Sequence, residues 1–317
     1  MNFTVEQTGE FLKDHDGYLI LTHVRPDGDT VGCAAALCRG LRDLGKTAHV
    51  LPNPETTSLF SPYLEGLLAP EDFRPETVVS VDMAARGLFP DNAQKYLARV
   101  DLAIDHHPSQ EFFARETCLD AGRAACGELI YDIAGLLGPV TREMAVPLYV
   151  AVSTDTGCFV YGNTTADTHR TAAALMETGI PAAELNKRHF RTKTLKRLRI
   201  ESRIVEGMEL FDGGETAVAA VTLDMRDQVG AEERDLEDIA SFVGQVEGVK
   251  NAITIRELRP GTCKLSLRTD PEVLNASRVC ALLGGGGHAA ASGATVEGSV
   301  EEAKRAILWA IEQVRHG

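Results

Sequence analysis

Short hydrophobic runs of strand length recur through the first half of this chain, and the residues that end them are acidic or histidine. Residues 18–23 (YLILTH) lead into His23-Val24-Arg25-Pro26-Asp27-Gly28-Asp29; 77–81 stop at Asp82; 100–104 stop at Asp105-His106-His107. A fourth acid, Asp155, follows an apolar helical stretch, and 47–51 form one more strand-like run. Helical spacing of apolar residues covers 30–44, 124–137 and 142–153. Strands alternating with helices predict an α/β domain, a mostly parallel sheet with helices on both faces. In such sheets ligands bind beyond the carboxyl ends of the strands. The sheet itself would then gather His23, Asp82 and Asp105.

A carboxylate at a buried strand end is unfavourable unless a partner offsets its desolvation, and a pair of divalent cations is such a partner. On a turn leaving a strand, His23, Asp27 and Asp29 can all point into one cleft, with Gly28 letting the backbone curl. Taken alone, this motif reads equally well as a polar turn in which Asp29 or Thr30 caps the next helix. Asp82 and Asp155 alone also read as turn residues. Asp105-His106-His107 is harder to dismiss, because adjacent histidines at a strand end have little packing purpose. One imidazole can bind metal while its neighbour faces a substrate, with Asp105 fixing a ring through its free N–H. Four such ends together favour a two-metal phosphoesterase over a coincidence of turns. A ligand set of carboxylates and imidazoles without cysteine favours Mn²⁺ or Mg²⁺, and imidazole tilts the choice to Mn²⁺.

Pro181 and the polar stretch after it mark a boundary. The expected organisation is a metal-binding catalytic domain over 1–185, a helical linker over 186–210, and a smaller α/β domain over 211–317. In the last, strands are expected at 216–223, 252–258 and 263–269, and helices near 236–246, 275–283 and 300–314. Basic residues crowd the linker, among them Lys187, Arg188, Arg191, Lys196 and Arg203. They read either as a solvated helix face or as a wall for a small anionic substrate. Gly284, Gly285, Gly286 and Gly287 precede His288, and glycines let backbone N–H groups cradle an anion. No Lys-Ser/Thr pair follows, so the run is not a P-loop, and a flexible turn is the alternative. Arg268 and Arg278 nearby add donors and favour a phosphate or nucleotide site.

A net charge of −14 argues against a protein that coats long nucleic acid, and 6% aromatic residues against a long base-stacking groove. A mononucleotide or very short oligonucleotide fits better. Seven scattered cysteines, an odd number with no C-x-x-C pair, suit reduced thiols. With no secretory leader and no run long enough to cross a bilayer, a cytoplasmic protein with no membrane role is expected.

These residues resemble the DHH phosphoesterase superfamily, named for the triplet present here as Asp105-His106-His107, with its motifs in the family's order. The second half resembles the DHHA1 substrate domain through Gly284–His288, and the combination resembles the nanoRNase branch, oligoribonucleases that also hydrolyse pAp. The resemblance implies one metal on His23, Asp27 and Asp82 and a second on Asp29, Asp82, His106 and Asp155, with Asp82 bridging. It implies that His107 contacts the scissile phosphate while Asp105 supports the site, and that the glycine loop, His288 and arginines grip the nucleotide. Arg268 leads those arginines, ahead of Arg256 and Arg278. Many relatives carry Arg in a Phe-Arg-aromatic segment after the fourth motif, where this chain reads Phe159-Val160-Tyr161, which bears on substrate preference. The implied substrates are short 5′-phosphorylated RNA, linear dinucleotides such as pApA or pGpG, and pAp; a homodimer is left open. A RecJ-like single-strand exonuclease or another DHH phosphodiesterase is the near alternative. A non-catalytic nucleotide-binding regulator is the alternative from another class.

Overall fold

Each strand of the first sheet is three to five residues long and nearly all of its residues are buried, as parallel strands covered on both faces must be. In the computed structural model, which describes residues 2–236 and 238–316, these strands are β1 (Tyr18–Leu21), β2 (Ala48–Val50), β3 (Thr77–Val81), β4 (Leu102–Asp105) and β5 (Glu116–Leu119). Their order is β2-β1-β3-β4-β5, every pairing parallel. One face is covered by α-helices: α1 (Val5–Asp14), α2 (Gly28–Asp43), α3 (Cys126–Leu137) and α4 (Arg142–Asp155). The other carries a separate apolar cluster under a 3₁₀ segment, Asp91–Arg99. Helices α5 (Ala166–Glu177) and α6 (Ala182–Asn186) complete the unit.

Close packing of α2 against α4 is written into two glycines one turn apart. A Cβ on Gly32 would lie 2.3 Å from the Pro147 carbonyl oxygen and 2.8 Å from Ala151 Cβ. A Cβ on Gly28 would lie 2.3 Å from Thr154 Oγ1. Only glycine lets these backbones approach so closely. Asp29, one residue after Gly28, and Asp155, one residue after Thr154, are therefore set relative to each other by helix packing.

The chain divides into two compact units between Thr192 and Lys193. The segment expected as a helical linker therefore falls in both. Lys187–Arg191 form a π turn continuing α6, whereas α7 (Leu195–Glu206) buries Ile200 and Ile204 in the second unit. That unit holds a six-stranded mixed sheet of order β10-β11-β9-β8-β7-β6. Its strands are β6 (Glu209–Phe211), β7 (Thr216–Val221), β8 (Asn251–Arg259), β9 (Thr262–Thr269), β10 (Gly286–Gly287) and β11 (Ala291–Glu297). Between them lie α8 (Leu223–Val229), α9 (Ile239–Phe242) and α10 (Ala276–Ala281), and α11 (Val300–His316) closes the chain. The helix expected over 236–246 is broken: a 3₁₀ turn at Glu233–Leu236, then α9, then a 3₁₀ turn at Val243–Gln245. No helix among the described residues is long and apolar enough to cross a membrane.

Candidate metal centre

His23, Asp27, Asp29, Asp82, His106 and Asp155 come together at the carboxyl ends of β1, β3 and β4, where the parallel order predicts a site. They form two overlapping sets. His23 Nε2 lies 3.7 Å from Asp27 Oδ1 and 3.6 Å from Asp82 Oδ2. His106 Nε2 lies 3.8 Å from Asp29 Oδ2, 3.5 Å from Asp82 Oδ1 and 3.5 Å from Asp155 Oδ2. The two oxygens of Asp82 thus face different histidines. The ligating atoms in His23/Asp27/Asp82, and again in Asp29/His106/Asp155, lie within 4.8 Å of one another.

Backbone geometry presents each donor. Asp27, rather than the expected Asp29 or Thr30, caps α2: its Oδ1 accepts from the Asp29 and Thr30 amides at 3.0 and 3.2 Å. Asp82 takes a left-handed conformation at φ 53°, uncommon for a non-glycine residue, and ends β3 with its carboxylate buried in the cluster. The His23 ring is oriented by a 2.8 Å contact from Nδ1 to the Val24 carbonyl, and the His106 ring by one of 3.1 Å to the Arg123 carbonyl. With Nδ1–H donating in each case, Nε2 is the atom turned to the carboxylates. Asp29 is clamped by the first amides of α3: Cys126 N donates to Oδ2 at 2.7 Å and Gly127 N to Oδ1 at 2.9 Å. A helix N-terminus favours such a carboxylate.

Asp105 is fully buried and its oxygens are already bonded. Oδ1 accepts from the His106 amide at 2.8 Å and meets His107 Nδ1 at 2.8 Å; Oδ2 accepts from Gln110 Nε2 at 2.7 Å. Asp105 therefore orients His107, whose Nε2 is the ring's outward atom. Three supporting residues were not legible in the sequence. Gln110 also donates to the Met83 carbonyl at 2.9 Å, tying the segment after Asp82 to the Asp105 triplet. Asn53 Nδ2 holds the His23 carbonyl at 2.9 Å, and Asn163 Nδ2 holds the Asp155 carbonyl at 3.1 Å. Neutral amides at irregular spacing leave no periodic signal.

The electrostatics show what the cluster lacks. Burial, then the charges of Asp82 and Asp155, push the Asp29 carboxyl well above its ordinary range. Burial likewise raises Asp155 to about 6 against the opposing pull of His106, with Asp82 and Asp27 adding to the rise. Burial also works against ionised Asp82, but the His106 and His23 imidazoles outweigh it and hold that carboxyl well below the usual range. Asp82 Oδ1 has no hydrogen-bond partner although it is buried. Crowded carboxylates, inward imidazole nitrogens and an orphaned buried carboxylate oxygen fit divalent cations, which would reverse each penalty.

In the second unit, Arg268 sits on β9 beside Ala291 of β11, on the sheet face opposite the buried Cys263, Leu265 and Leu267. Arg278 is exposed on α10, whereas Arg256 is ion-paired with Glu233. The glycine run is β10 and the turn before it. Gly284 has φ 73°, and a Cβ on Gly285 would fall 2.1 Å from the Gly293 carbonyl oxygen, so close approach to β11 requires glycine. The Gly284, Gly285 and His288 amides donate to Ala281, Cys280 and Ala291 carbonyls. The expectation that these amides turn to an anion is corrected in those three cases.

Comparison with known proteins matches residues 18–152 to the N-terminal domain of the DHH family and 214–316 to the DHHA1 domain. The chain is 33% identical over 310 residues to the bifunctional oligoribonuclease and PAP phosphatase NrnA of Thermus thermophilus, covering 96% of this chain and 92% of that protein. It is 25% identical over 303 residues to NrnA of Bacillus subtilis, covering 92% and 93%. Among solved structures, an exopolyphosphatase-related protein from Bacteroides fragilis superposes with a TM-score of 0.84 at 23% identity, over 98% of this chain and 95% of that one. The Mn²⁺ complex of RecJ from Thermus thermophilus gives 0.52 at 14% identity, over 98% of this chain and 54% of that one. These last two likenesses concern the fold.

Proposed function

The chain belongs to the DHH family of phosphoesterases, with a DHHA1 domain as its second unit, and from that premise we propose that it hydrolyses short 5′-phosphorylated oligoribonucleotides to mononucleotides and pAp to AMP. The observation that carries this reading is the sharing of Asp82 between two donor sets, one oxygen to each. His23, Asp27 and Asp82 would hold one divalent cation; Asp29, Asp82, His106 and Asp155 would hold the other, Mn²⁺ ahead of Mg²⁺ because imidazole contributes. When bound, such a pair supplies charge stabilisation to a phosphoryl group and lowers the pKa of a water.

The remaining chemistry falls to the chain's own residues. Asp105, itself anchored by Gln110, keeps the proton of His107 on Nδ1 or on both nitrogens, which points Nε2 outward. A protonated Nε2 donates to a phosphate oxygen and can pass its proton to the leaving oxygen. Burial opposes charge on His107, but the Asp105 hydrogen bond and the Asp82 charge raise its pKa above the ordinary value. Cations on Asp82 would cancel its share of that rise, so the donor role rests on the Asp105 hydrogen bond. Arg268, His288 and Arg278 of the second unit are assigned to nucleotide binding. Val160, 79% exposed in the loop after Asp155, offers no cation where many relatives have one, so the substrate phosphate must find its charge partner elsewhere.

One panel tests the reading: Mn²⁺-supplemented hydrolysis of pAp, 5′-phosphorylated dinucleotides, longer RNA, single-stranded DNA and pyrophosphate. Preference for the first two is expected. Preference for long single-stranded DNA would favour a RecJ-like exonuclease, and hydrolysis of none would favour a nucleotide-binding regulator.

A further inference from the structure

A cavity of about 560 Å³ opens in the first unit on the sheet face opposite α2–α4, built by residues that the metal centre does not use. Small-molecule sites run from about 300 to 1,000 Å³. Its apolar wall includes Leu19, Phe73 and Tyr96. Three cations, Arg74, Lys95 and Arg99, share the lining with a single acid, Glu71. The lining is therefore locally basic in a chain of net charge −14. Among the described residues none of the three is in an ion pair. Lys95 Nζ stands 5.0 Å and Arg99 Cζ 5.9 Å from the Tyr96 ring centroid. Arg99 is steadied by a 2.9 Å bond to the Pro75 carbonyl, and the Phe73 ring by an edge contact with His49 at 4.7 Å. The lining thus combines aromatic and aliphatic side chains with three cations, two of them close to the Tyr96 ring.

This chemistry recognises a molecule with a planar apolar body and a dense negative charge. The rim also touches the metal centre's support. Asn92 and Pro52 both line the cavity, and Asn92 Nδ2 donates to the Pro52 carbonyl at 2.6 Å. The next residue, Asn53, holds the His23 carbonyl at 2.9 Å and Thr22 Oγ1 at 3.1 Å. We propose that this cavity is a second, non-catalytic site for an organic phosphate bearing a flat ring, of the nucleoside monophosphate class, and that its occupancy is relayed to His23 through Asn92, Pro52 and Asn53. Any such coupling is reciprocal: a ligand that alters cation affinity has its own affinity altered by the same factor.

AMP is the probe, titrated calorimetrically into the full-length protein, with Lys95→Glu/Arg99→Glu as the test variant and Lys95→Ala/Arg99→Ala as the milder one. Both positions are exposed, so the fold should persist, and an unchanged unfolding temperature checks this. Two equivalents of AMP are expected for wild type, and one of them should weaken at least tenfold in the charge-reversed variant. Turnover of a 5′-phosphorylated dinucleotide without added AMP should stay within about twofold of wild type. The shift that AMP causes in the Mn²⁺ requirement should shrink in the variant, since only the binding of AMP at the metal centre remains. Equal AMP stoichiometry and affinity in wild type and both variants would overturn the site. Displacement of AMP by equimolar inorganic phosphate would overturn its organic-phosphate character. An identical AMP effect on Mn²⁺ requirement in all three proteins would overturn the relay.

Discussion

The same substitution placed twice in α3 should have opposite consequences. Gly135→Ala faces open space: the site is exposed and nothing lies within 4 Å of the added methyl. It should stabilise the protein by about 0.5–1 kcal/mol, because glycine in a helix interior loses more backbone entropy on folding than alanine. Gly127→Ala, at the start of the same helix, places its Cβ 2.7 Å from Ala151 Cβ and 3.3 Å from Val152 Cγ2. Carbon atoms in contact sit about 3.5–4.0 Å apart, so α3 and α4 must separate by close to 1 Å at their tightest point. Overpacking of this kind costs about 1–3 kcal/mol. For a unit of this size each kcal/mol moves the unfolding midpoint by roughly 2–4 °C; the helix-propensity gain is common to both variants, so Gly127→Ala should melt about 2–12 °C below Gly135→Ala. The displaced element carries the Cys126 and Gly127 amides that grip Asp29, and weakening one bond to a charged oxygen costs about 1.5–3 kcal/mol. Activity titrated with Mn²⁺ should consequently show a roughly tenfold or greater rise in half-saturating metal for Gly127→Ala and none for Gly135→Ala. Scanning calorimetry and metal-dependent hydrolysis of a 5′-phosphorylated dinucleotide measure both quantities. Equal melting temperatures and equal metal requirements in the two variants would refute the claim that α3 positions Asp29.

Three further outcomes are expected. Asp82→Ala should remove more activity than any other single change among the six metal-site residues, because Asp82 faces both donor sets; wild-type-like turnover at saturating Mn²⁺ would sink the bridging assignment. Gln110→Ala should lower kcat about tenfold with little change in KM, since it frees Asp105 and through it the His107 ring; an altered KM at constant kcat would point to substrate binding instead. His189, whose Nε2 meets Tyr63 Oη at 2.7 Å, is held at about 4, below its ordinary 6.5, chiefly by burial and secondarily by Arg188. The unfolded chain takes up that proton before the folded one, so the stability it contributes is complete above 6.5 and is lost as pH falls toward 4. In urea unfolding series, His189→Gln should show a shallower loss of stability than wild type across that window, and parallel curves would exclude the effect.

That His23, Asp27, Asp29, Asp82, His106 and Asp155 would gather at one edge of the sheet was legible in the sequence, because the topology marks those places. A parallel sheet must end its buried strands at one edge, and acids there contrast with the apolar run before them, as Asp82 does after 77–81. The strand β3 itself was read with the bounds observed. β5 escaped because Glu116 and Leu119 are only half-buried, leaving two buried residues to carry a pattern. β11 escaped because Ala291-Ser292-Gly293-Ala294 has no large side chain, and small residues are what its contact with the glycine turn demands. The supports of the site are mostly out of reach from sequence. Arg123 contributes a carbonyl, α3 contributes amides, and neither depends visibly on side-chain type.

The parallel order of the first sheet also dictates when the site comes into being. Its donors span His23 to Asp155, and every strand pairing that gathers them joins segments distant in the chain. Long-range pairings of this kind form late and slowly. During synthesis, the histidine and carboxylates of the first turn leave the ribosome well before Asp155 exists. An incomplete chain can offer at most the His23, Asp27 and Asp82 set, so the pair of donor sets is complete only once Asp155 has joined the fold. A cation pair that binds only the finished site would then lengthen the life of the folded protein, through the extra stability that binding confers.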